Sequence, residues 1–121
     1  AVLDSIAFAF RDSLVALRAG GATINRLMAV GGGTKSEIWM KIMATAMGLP
    51  IDLPASGEVG GAFGAARMGL VAATGEDFRK VFTRPKTAKT FTPEKSATAA
   101  YDDHYHRYTQ IYPAIKEIRL T

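Results

Sequence analysis

Three consecutive glycines, Gly31, Gly32 and Gly33, lie where an apolar run ends and an apparently helical run begins. Glycine has no Cβ, so the backbone can turn sharply here and approach a flat ligand closely. The following helix would direct unpaired N–H groups and the positive end of its dipole toward the same crevice. This pattern suits nucleotide binding, and a plain strand-to-helix turn is the alternative that it leaves open.

This segment resembles two known phosphate-binding motifs, and it completes neither of them. A P-loop needs glycine directly before its Lys-Ser pair, and Thr34 occupies that position. The Rossmann fingerprint lacks its third glycine, at Ser36, although Asp52 follows at the distance expected of a ribose-binding acid. A dinucleotide-binding module of an oxidoreductase is therefore one alternative, and a noncatalytic packing or interaction domain is another.

The other polar residues do not form a recognisable reactive site. His104 and His106 would point to nearly opposite sides of a helix instead of converging on a metal. Asp4, Asp12 and Asp52 are spread over helix and strand positions with no pattern of a metal-holding pair. The sequence contains no cysteine nucleophile and no serine elbow. We expect the aspartates to be structural or exposed and the histidines to be exposed or partly packed.

Composition limits the class of protein. With 121 residues, 48% of them hydrophobic, the chain fits one small globular domain. No apolar run reaches the ~20 residues that cross a bilayer, and zero cysteines exclude a disulfide framework. We expect a cytoplasmic protein with no membrane partner. The chain lacks an initiator Met, which suggests that it was taken from a longer protein.

The positive charge is concentrated late in the chain. The net charge of +4 comes mainly from one connecting stretch that contains Arg79, Lys80, Arg84, Lys86, Lys89 and Lys95. We interpret this stretch as a solvated loop. Binding to nucleic acid is not expected, because the aromatic residues that would stack on bases lie elsewhere.

Apolar periodicity predicts the elements that position the glycine turn. A helix extends to about Ala19, a strand covers residues 24–30 and a second helix covers about residues 35–47. Residues 51–53 form a second strand, which the right-handed crossover rule makes parallel to the first. No third strand is predicted.

A third helix rich in small residues is predicted to start at Gly57 or Glu58 and to end at Ala73, with Ser56 as its N-cap. Each glycine within a helix costs up to ~1 kcal/mol relative to alanine. We therefore expect this helix to pack tightly on the sheet or on another helix.

The last helix is predicted to begin with Thr92 as N-cap and Pro93 in its first turn, and Pro113 should kink or end it. Its four tyrosines share one face: Tyr101, Tyr105, Tyr108 and Tyr112. An aromatic stripe at this spacing is typical of core or interface packing.

Three blocks of the sequence resemble the C-terminal part of the FGGY carbohydrate kinases, and most closely of the xylulose kinases among them. The blocks are residues 8–14, 27–39 and 58–66, in the family's order and with a β-α-β unit between them. The resemblance implies an α/β fold: a partial ribonuclease H-like (actin-like ATPase) domain with short parallel strands, flanking helices and a long C-terminal helix. Residues 1–121 would then be part of the nucleotide-binding domain, with the N-terminal domain outside this sequence.

The resemblance also implies a function, the transfer of a phosphoryl group from ATP to a sugar hydroxyl with Mg²⁺ as cofactor. The expected reaction converts D-xylulose to D-xylulose 5-phosphate, with ribulose, gluconate or glycerol as the other sugars left open. In the family, Gly32 and Gly33 would touch adenine or ribose, Gly31 would shape the turn, and Ser36 would offer its hydroxyl to the base. The catalytic base, the sugar-binding residues and the Mg²⁺ ligands would lie before Ala1, so we expect no catalytic residue here and no activity of the chain alone.

A half-domain of this kind leaves a sheet edge and apolar helix faces uncovered, which proteins normally avoid. We therefore expect the isolated chain to form a homo-oligomer, most simply a symmetric dimer.

Overall fold

The structure is a computed structural model that describes residues 1–55, 60–116 and 118. Its elements are, in chain order, α1 (Val2–Ala19), β1 (Leu27–Met28), a 3-10 helix (Gly32–Lys35), α2 (Glu37–Met47), β2 (Ile51–Pro54), α3 (Gly61–Thr74), α4 (Phe78–Val81), β3 (Thr87–Phe91) and α5 (Thr98–Lys116). This order confirms the predicted α/β class and the long C-terminal helix.

The sheet has three strands in the order β1-β2-β3. β1 and β2 are parallel, as the crossover rule predicts. Leu27 N donates to Pro50 O at 3.0 Å, and Ala29 N donates to Asp52 O at 2.9 Å. β1 is shorter than the strand predicted over residues 24–30, because β2 begins only after the turn at Pro50 and offers few partners.

The third strand was not predicted. β3 runs antiparallel to β2 and places Phe91 opposite Ile51 and Thr90 opposite Asp52. Of its five residues only Phe91 is buried, so the apolar pattern of a strand is absent from the sequence. The interpretation of this stretch as a solvated loop with no strand, and of the sheet as purely parallel, was therefore wrong.

The core lies between α1, α2, the sheet and α5. Its buried apolar residues are Ala7, Phe8, Leu14, Met40, Met43, Ala44, Ala46, Met47, Leu49, Ile51 and Phe91. α2 ends at Gly48, which adopts the left-handed conformation at φ 65°. Glycine suits this C-terminal position because other residues pay a steric cost there, as the sequence predicts.

The tyrosine stripe of α5 packs against α1. The ring of Phe8 lies 6.2, 5.8 and 5.5 Å, centroid to centroid, from the rings of Tyr101, Tyr105 and Tyr108. These distances are typical of aromatic pairs that contribute packing energy. The prediction of core packing is confirmed for these three tyrosines, whereas Tyr112 is 67% exposed.

The predicted start of the last helix was wrong. α5 begins at Thr98 because the segment before it is held against α2, where Glu94 N donates to Thr45 Oγ1 at 3.1 Å. Pro113 lies inside α5, which continues to Lys116. Pro113 therefore does not end the helix, and the loss of its N–H and the crowding of its ring against the preceding turn are tolerated near the exposed end of α5.

α3 begins at Gly61 with Gly60 as its N-cap. The predicted start at Gly57 or Glu58 and the predicted cap at Ser56 lie outside the described residues.

The tight packing expected of the α3 glycines is not provided by the described residues. A Cβ added at Gly61, Gly64 or Gly69 would meet nothing within 4 Å. α3 contacts mainly α4 and the residues after it, where the guanidinium of Arg67 donates to Thr83 O at 3.0 Å. Within the described part of the chain, no helix is long and apolar enough to cross a membrane.

Candidate nucleotide site

The three glycines of the turn have different environments. Gly31 has φ +99°, a conformation that residues with a Cβ rarely adopt. A Cβ on Gly33 would lie 1.9 Å from Cζ3 of Trp39, so this glycine makes room for the indole ring. At Gly32 φ is not positive, and a Cβ would meet nothing within 4 Å. The fold thus requires glycine at two positions, whereas no described residue requires it at Gly32.

The turn is closed by hydrogen bonds to the Gly31 carbonyl. Thr34 Oγ1 donates to Gly31 O at 2.7 Å, and Thr34 N donates to the same oxygen at 3.2 Å. The backbone bond and that from Ser36 N to Gly33 O at 3.1 Å form the 3-10 helix, and α2 therefore begins at Glu37, two residues later than predicted. Gly31, Gly32 and Ser36 remain exposed at the surface of this turn.

Ser36 is the N-cap of α2. Its Oγ accepts a hydrogen bond from Trp39 N at 3.3 Å. A hydroxyl has one O–H donor besides its acceptor lone pairs, and Ser36 donates to no described residue. The capping role was not predicted, and it leaves the Ser36 O–H available to an acceptor on a ligand.

Charges of both signs lie next to the turn, because the exposed Lys35 ends the 3-10 helix. Glu37 lies in the first turn of α2 and forms an ion pair with Lys89. The hydrogen bond from Lys89 lowers the pKa of Glu37. A carboxylate in this first turn interacts favourably with the positive end of the α2 dipole. The local charge therefore does not decide which part of a nucleotide this turn would contact, whereas the exposed backbone of Gly32 suits a flat base or sugar.

Asp52 is fully buried in the sheet and is held by three groups. Arg26 Nη1 donates to both of its oxygens at 2.9 Å, Thr90 Oγ1 donates at 2.6 Å, and Arg84 Nη2 lies 3.7 Å away. The hydrogen bond from Thr90, with Arg26, lowers the pKa of Asp52 against the opposing effect of burial. Asp52 is structural, as expected, and is not free to bind a ribose.

The other two aspartates serve the packing of α1 on α5. Tyr101 Oη donates to Asp4 at 3.3 Å, and Tyr105 Oη donates to Asp12. Burial raises the pKa of Tyr105 to about 12, and the hydrogen bond to Asp12 acts in the same direction. These contacts confirm that Asp4 and Asp12 are structural.

No metal site is formed by the part of the chain that the structure describes. Within it, no group of three or more His, Cys, Asp or Glu side chains could hold a metal ion. His104 and His106 are exposed, as expected. The described residues therefore form no such cluster for Mg²⁺, and the location of its ligands elsewhere in a kinase stays a prediction.

Comparison with known proteins identifies the family. Residues 1–73 match the C-terminal domain of the FGGY family of carbohydrate kinases. The chain belongs to this family, and its fold matches the family's C-terminal domain, which has the actin-like ATPase fold. The family resemblance is confirmed, and the oxidoreductase alternative is rejected.

Curated relatives include sugar kinases. The chain is 28% identical to the xylulose kinase of Escherichia coli, over 93% of this chain and 23% of that protein. It is 26% identical to a probable L-xylulose kinase of Haemophilus influenzae, over 98% of this chain and 24% of that protein. The chain thus spans about a quarter of the length of these relatives.

Solved structures that are similar to this chain also include xylulose kinases. A "xyloylose kinase" from Brucella ovis is 50% identical and superimposes with a TM-score of 0.91, over 98% of this chain and 25% of that one. The xylulose kinase of Rhodospirillum rubrum is 29% identical with a TM-score of 0.80, over 98% of this chain and 24% of that one. The fold is therefore that of one part of a xylulose kinase-like protein.

Proposed function

We propose that this chain forms the adenosine-binding wall of an ATP-dependent sugar kinase that converts D-xylulose to D-xylulose 5-phosphate. The observation that supports this most is Gly32, which is exposed and which no intramolecular contact requires to be glycine. The absence of a Cβ there lets a flat purine approach the backbone closely. The Ser36 O–H, which no described residue accepts, then donates to a nitrogen of the base.

The rest of the turn holds this surface in place. Gly31 allows the sharp bend, and the ring of Trp39 packs directly on Gly33. We infer that ATP and ADP lie with the adenosine on this turn and the phosphates directed toward the rest of the kinase.

The remaining parts of the reaction belong to the rest of the kinase under this proposal. Phosphoryl transfer needs a base, an acceptor hydroxyl and metal-bridged phosphates at one point, and Mg²⁺ neutralises phosphate charge when bound. Asp4, Asp12 and Asp52 are already engaged by tyrosines or by Arg26. The chain alone is therefore expected to be inactive.

The choice of xylulose rests on similarity to the named kinases. The Brucella ovis and Escherichia coli proteins carry that name, while another Escherichia coli relative, 29% identical, is an L-xylulose/3-keto-L-gulonate kinase. Steady-state assays with D-xylulose, L-xylulose and gluconate would decide between these sugars. They require a complete kinase, made by replacing the matching quarter of the Brucella ovis protein with this chain; we call it the chimeric kinase.

The nucleotide proposal is tested by Gly32→Val in the chimeric kinase. We expect the Kd of ADP, measured by calorimetry, to rise at least about tenfold, while the thermal midpoint stays unchanged. The matched control is Gly69→Ala, because Gly69 also has open space around it but lies in α3, away from the turn. An unchanged Kd in Gly32→Val would refute the proposed site.

A further inference from the structure

Trp39 lies in the first turn of α2, beside the glycine turn. A Cβ built on Gly33 would overlap the Cζ3, Cε3 and Cη2 atoms of its ring. The six-membered part of the indole therefore occupies the space that a side chain at Gly33 would need. The partly buried ring also packs against the core, so it connects the turn to the interior of the domain.

The glycine turn depends on a small number of contacts for its conformation. Glycine loses more conformational freedom on ordering than any other residue, and three follow one another here. At one end of the turn, two hydrogen bonds hold the carbonyl of Gly31. At the other end, Ser36 N donates to Gly33 O at 3.1 Å, and the ring of Trp39 packs on Gly33. Gly32 lies between these ends with open space beside it, so its position depends on how firmly both ends are held.

The indole ring is placed by its shape and not by a hydrogen bond of its own. Trp39 Nε1 is buried and donates to no described residue. The backbone N–H of Trp39 donates to Ser36 Oγ at 3.3 Å, and any residue other than proline would keep that bond. What tryptophan adds at this position is therefore the contact of its ring with Gly33.

We propose that Trp39 is a positioning residue for the nucleotide: its ring packs on Gly33 and thereby holds the Gly32 backbone in the conformation that accepts the adenosine. Trp39 acts through the turn and does not itself touch the nucleotide. A turn that is ordered before binding avoids the entropic cost that a mobile turn pays on binding. Loss of the ring contact should therefore weaken nucleotide binding and leave the transfer step unchanged. This inference rests on the proposed adenosine site.

The direct test is Trp39→Phe in the chimeric kinase. The phenyl ring is shorter than the indole and withdraws from Gly33, while no described hydrogen bond is lost. We expect the Kd of ADP and the KM of ATP to rise at least about fivefold. The kcat and the KM of the sugar should stay unchanged, because the lost interaction is the same in the ground state and the transition state. A fall in kcat with an unchanged KM of ATP would overturn the proposal.

Met47→Ala is the control for a general loss of stability. Met47 is a buried apolar residue of the same helix and lies about two turns beyond Trp39. Its truncation should lower the thermal midpoint of the chimeric kinase and leave the Kd of ADP unchanged. An equal rise in Kd in Met47→Ala and Trp39→Phe would show that destabilisation alone weakens binding, which would also overturn the proposal.

A double variant tests the shape of the contact. In Gly33→Ala the added methyl group overlaps the indole ring, whereas in Gly33→Ala combined with Trp39→Phe it occupies the space that the shorter ring leaves. The double variant should therefore bind ADP more tightly than Trp39→Phe alone. This comparison does not require Gly33→Ala to fold by itself. Weaker binding in the double variant would show that the two residues act independently and would overturn the proposal.

Gly32→Val separates this inference from the proposed adenosine site. If Gly32→Val weakens ADP binding and Trp39→Phe does not, the site is supported and the positioning role of Trp39 is overturned. If neither variant weakens ADP binding, both the site and the positioning role are overturned.

Discussion

At the scale of single residues, the glycines of the turn differ in what a methyl group would meet. We predict that Gly31→Ala costs about 1–2 kcal/mol because of its positive φ. Gly33→Ala should cost more, because its Cβ would overlap the ring of Trp39. Gly32→Ala should stay within about 0.5 kcal/mol of the original chain. Urea unfolding of the isolated chain measures the loss of unfolding free energy for all three substitutions. A loss in Gly32→Ala equal to that in Gly31→Ala would contradict the prediction.

The raised pKa of Tyr105 leads to a prediction about the stability of the folded chain at alkaline pH. Its pKa is raised to about 12 in the folded chain, from about 10 in the unfolded chain. The contribution of its neutral phenol is therefore complete below about pH 10 and is lost as the pH rises through about 12. The stability difference between the original chain and Tyr105→Phe should shrink over this range in urea titrations. Tyr112→Phe is the control, because the Tyr112 side chain is exposed.

The sequence identified the glycine turn but not the separate reasons for its glycines. The roles of Gly31 and Gly33 depend on the backbone angle and on the position of Trp39, which only the fold defines. The capping role of Ser36 was within reach of the sequence, because serine directly before Glu-Ile-Trp is a common helix start. The partners of Asp52 come from distant segments, so the ion pair that holds it was not predicted.

At the scale of elements, the Asp52 network ties all three strands together through Arg26 before β1 and Thr90 in β3. The lowered pKa of Asp52 means that its stabilising effect is present above about pH 4 and is lost as the pH falls through the folded-state pKa. We predict that Asp52→Asn lowers the thermal midpoint at pH 7 and that this difference shrinks below about pH 4.

Circular dichroism melts across this pH range test the prediction on Asp52. Asp103→Asn provides the control, because Asp103 forms only an exposed pair with Arg107 on one helix. Exposed pairs contribute little, so this variant should melt near the original chain. Equal effects of the two variants at pH 7 would show that the network does not hold the strands.

The elements differ in how far sequence patterns define them. α1 and α2 have apolar stripes of helical period and were predicted nearly to their ends. β3 was missed because four of its five side chains are exposed, so it is defined by pairing with β2 and not by a pattern of its own. The start of α5 was misplaced because a local cap signal was overridden by the tertiary contact of Glu94 with Thr45.

At the scale of the whole molecule, large apolar side chains are exposed in several parts of the chain. They include Val2, Phe10, Leu17, Val30 and Ile38. We predict that the isolated chain self-associates through this surface, most simply as a symmetric dimer. Sedimentation velocity over a range of concentrations measures this self-association. Val30→Asp should shift the equilibrium toward monomer, and a monodisperse monomer of the original chain at high concentration would contradict the prediction.

The family was recognisable because its sequence blocks fall on the elements that build the turn and the start of α3. The sugar and the catalytic base were beyond reach because the described residues contain no group of three or more His, Cys, Asp or Glu side chains that could hold a metal ion. Similarity over about a quarter of each relative therefore supports a kinase while leaving its substrate to experiment.

A crystal structure of the chimeric kinase with ADP tests the central claim most directly. The account predicts that the adenine ring lies within about 4 Å of the Gly32 backbone, with the Ser36 hydroxyl donating to the base. ADP bound elsewhere, with Gly31, Gly32 and Gly33 covered by side chains of the same kinase, would contradict it.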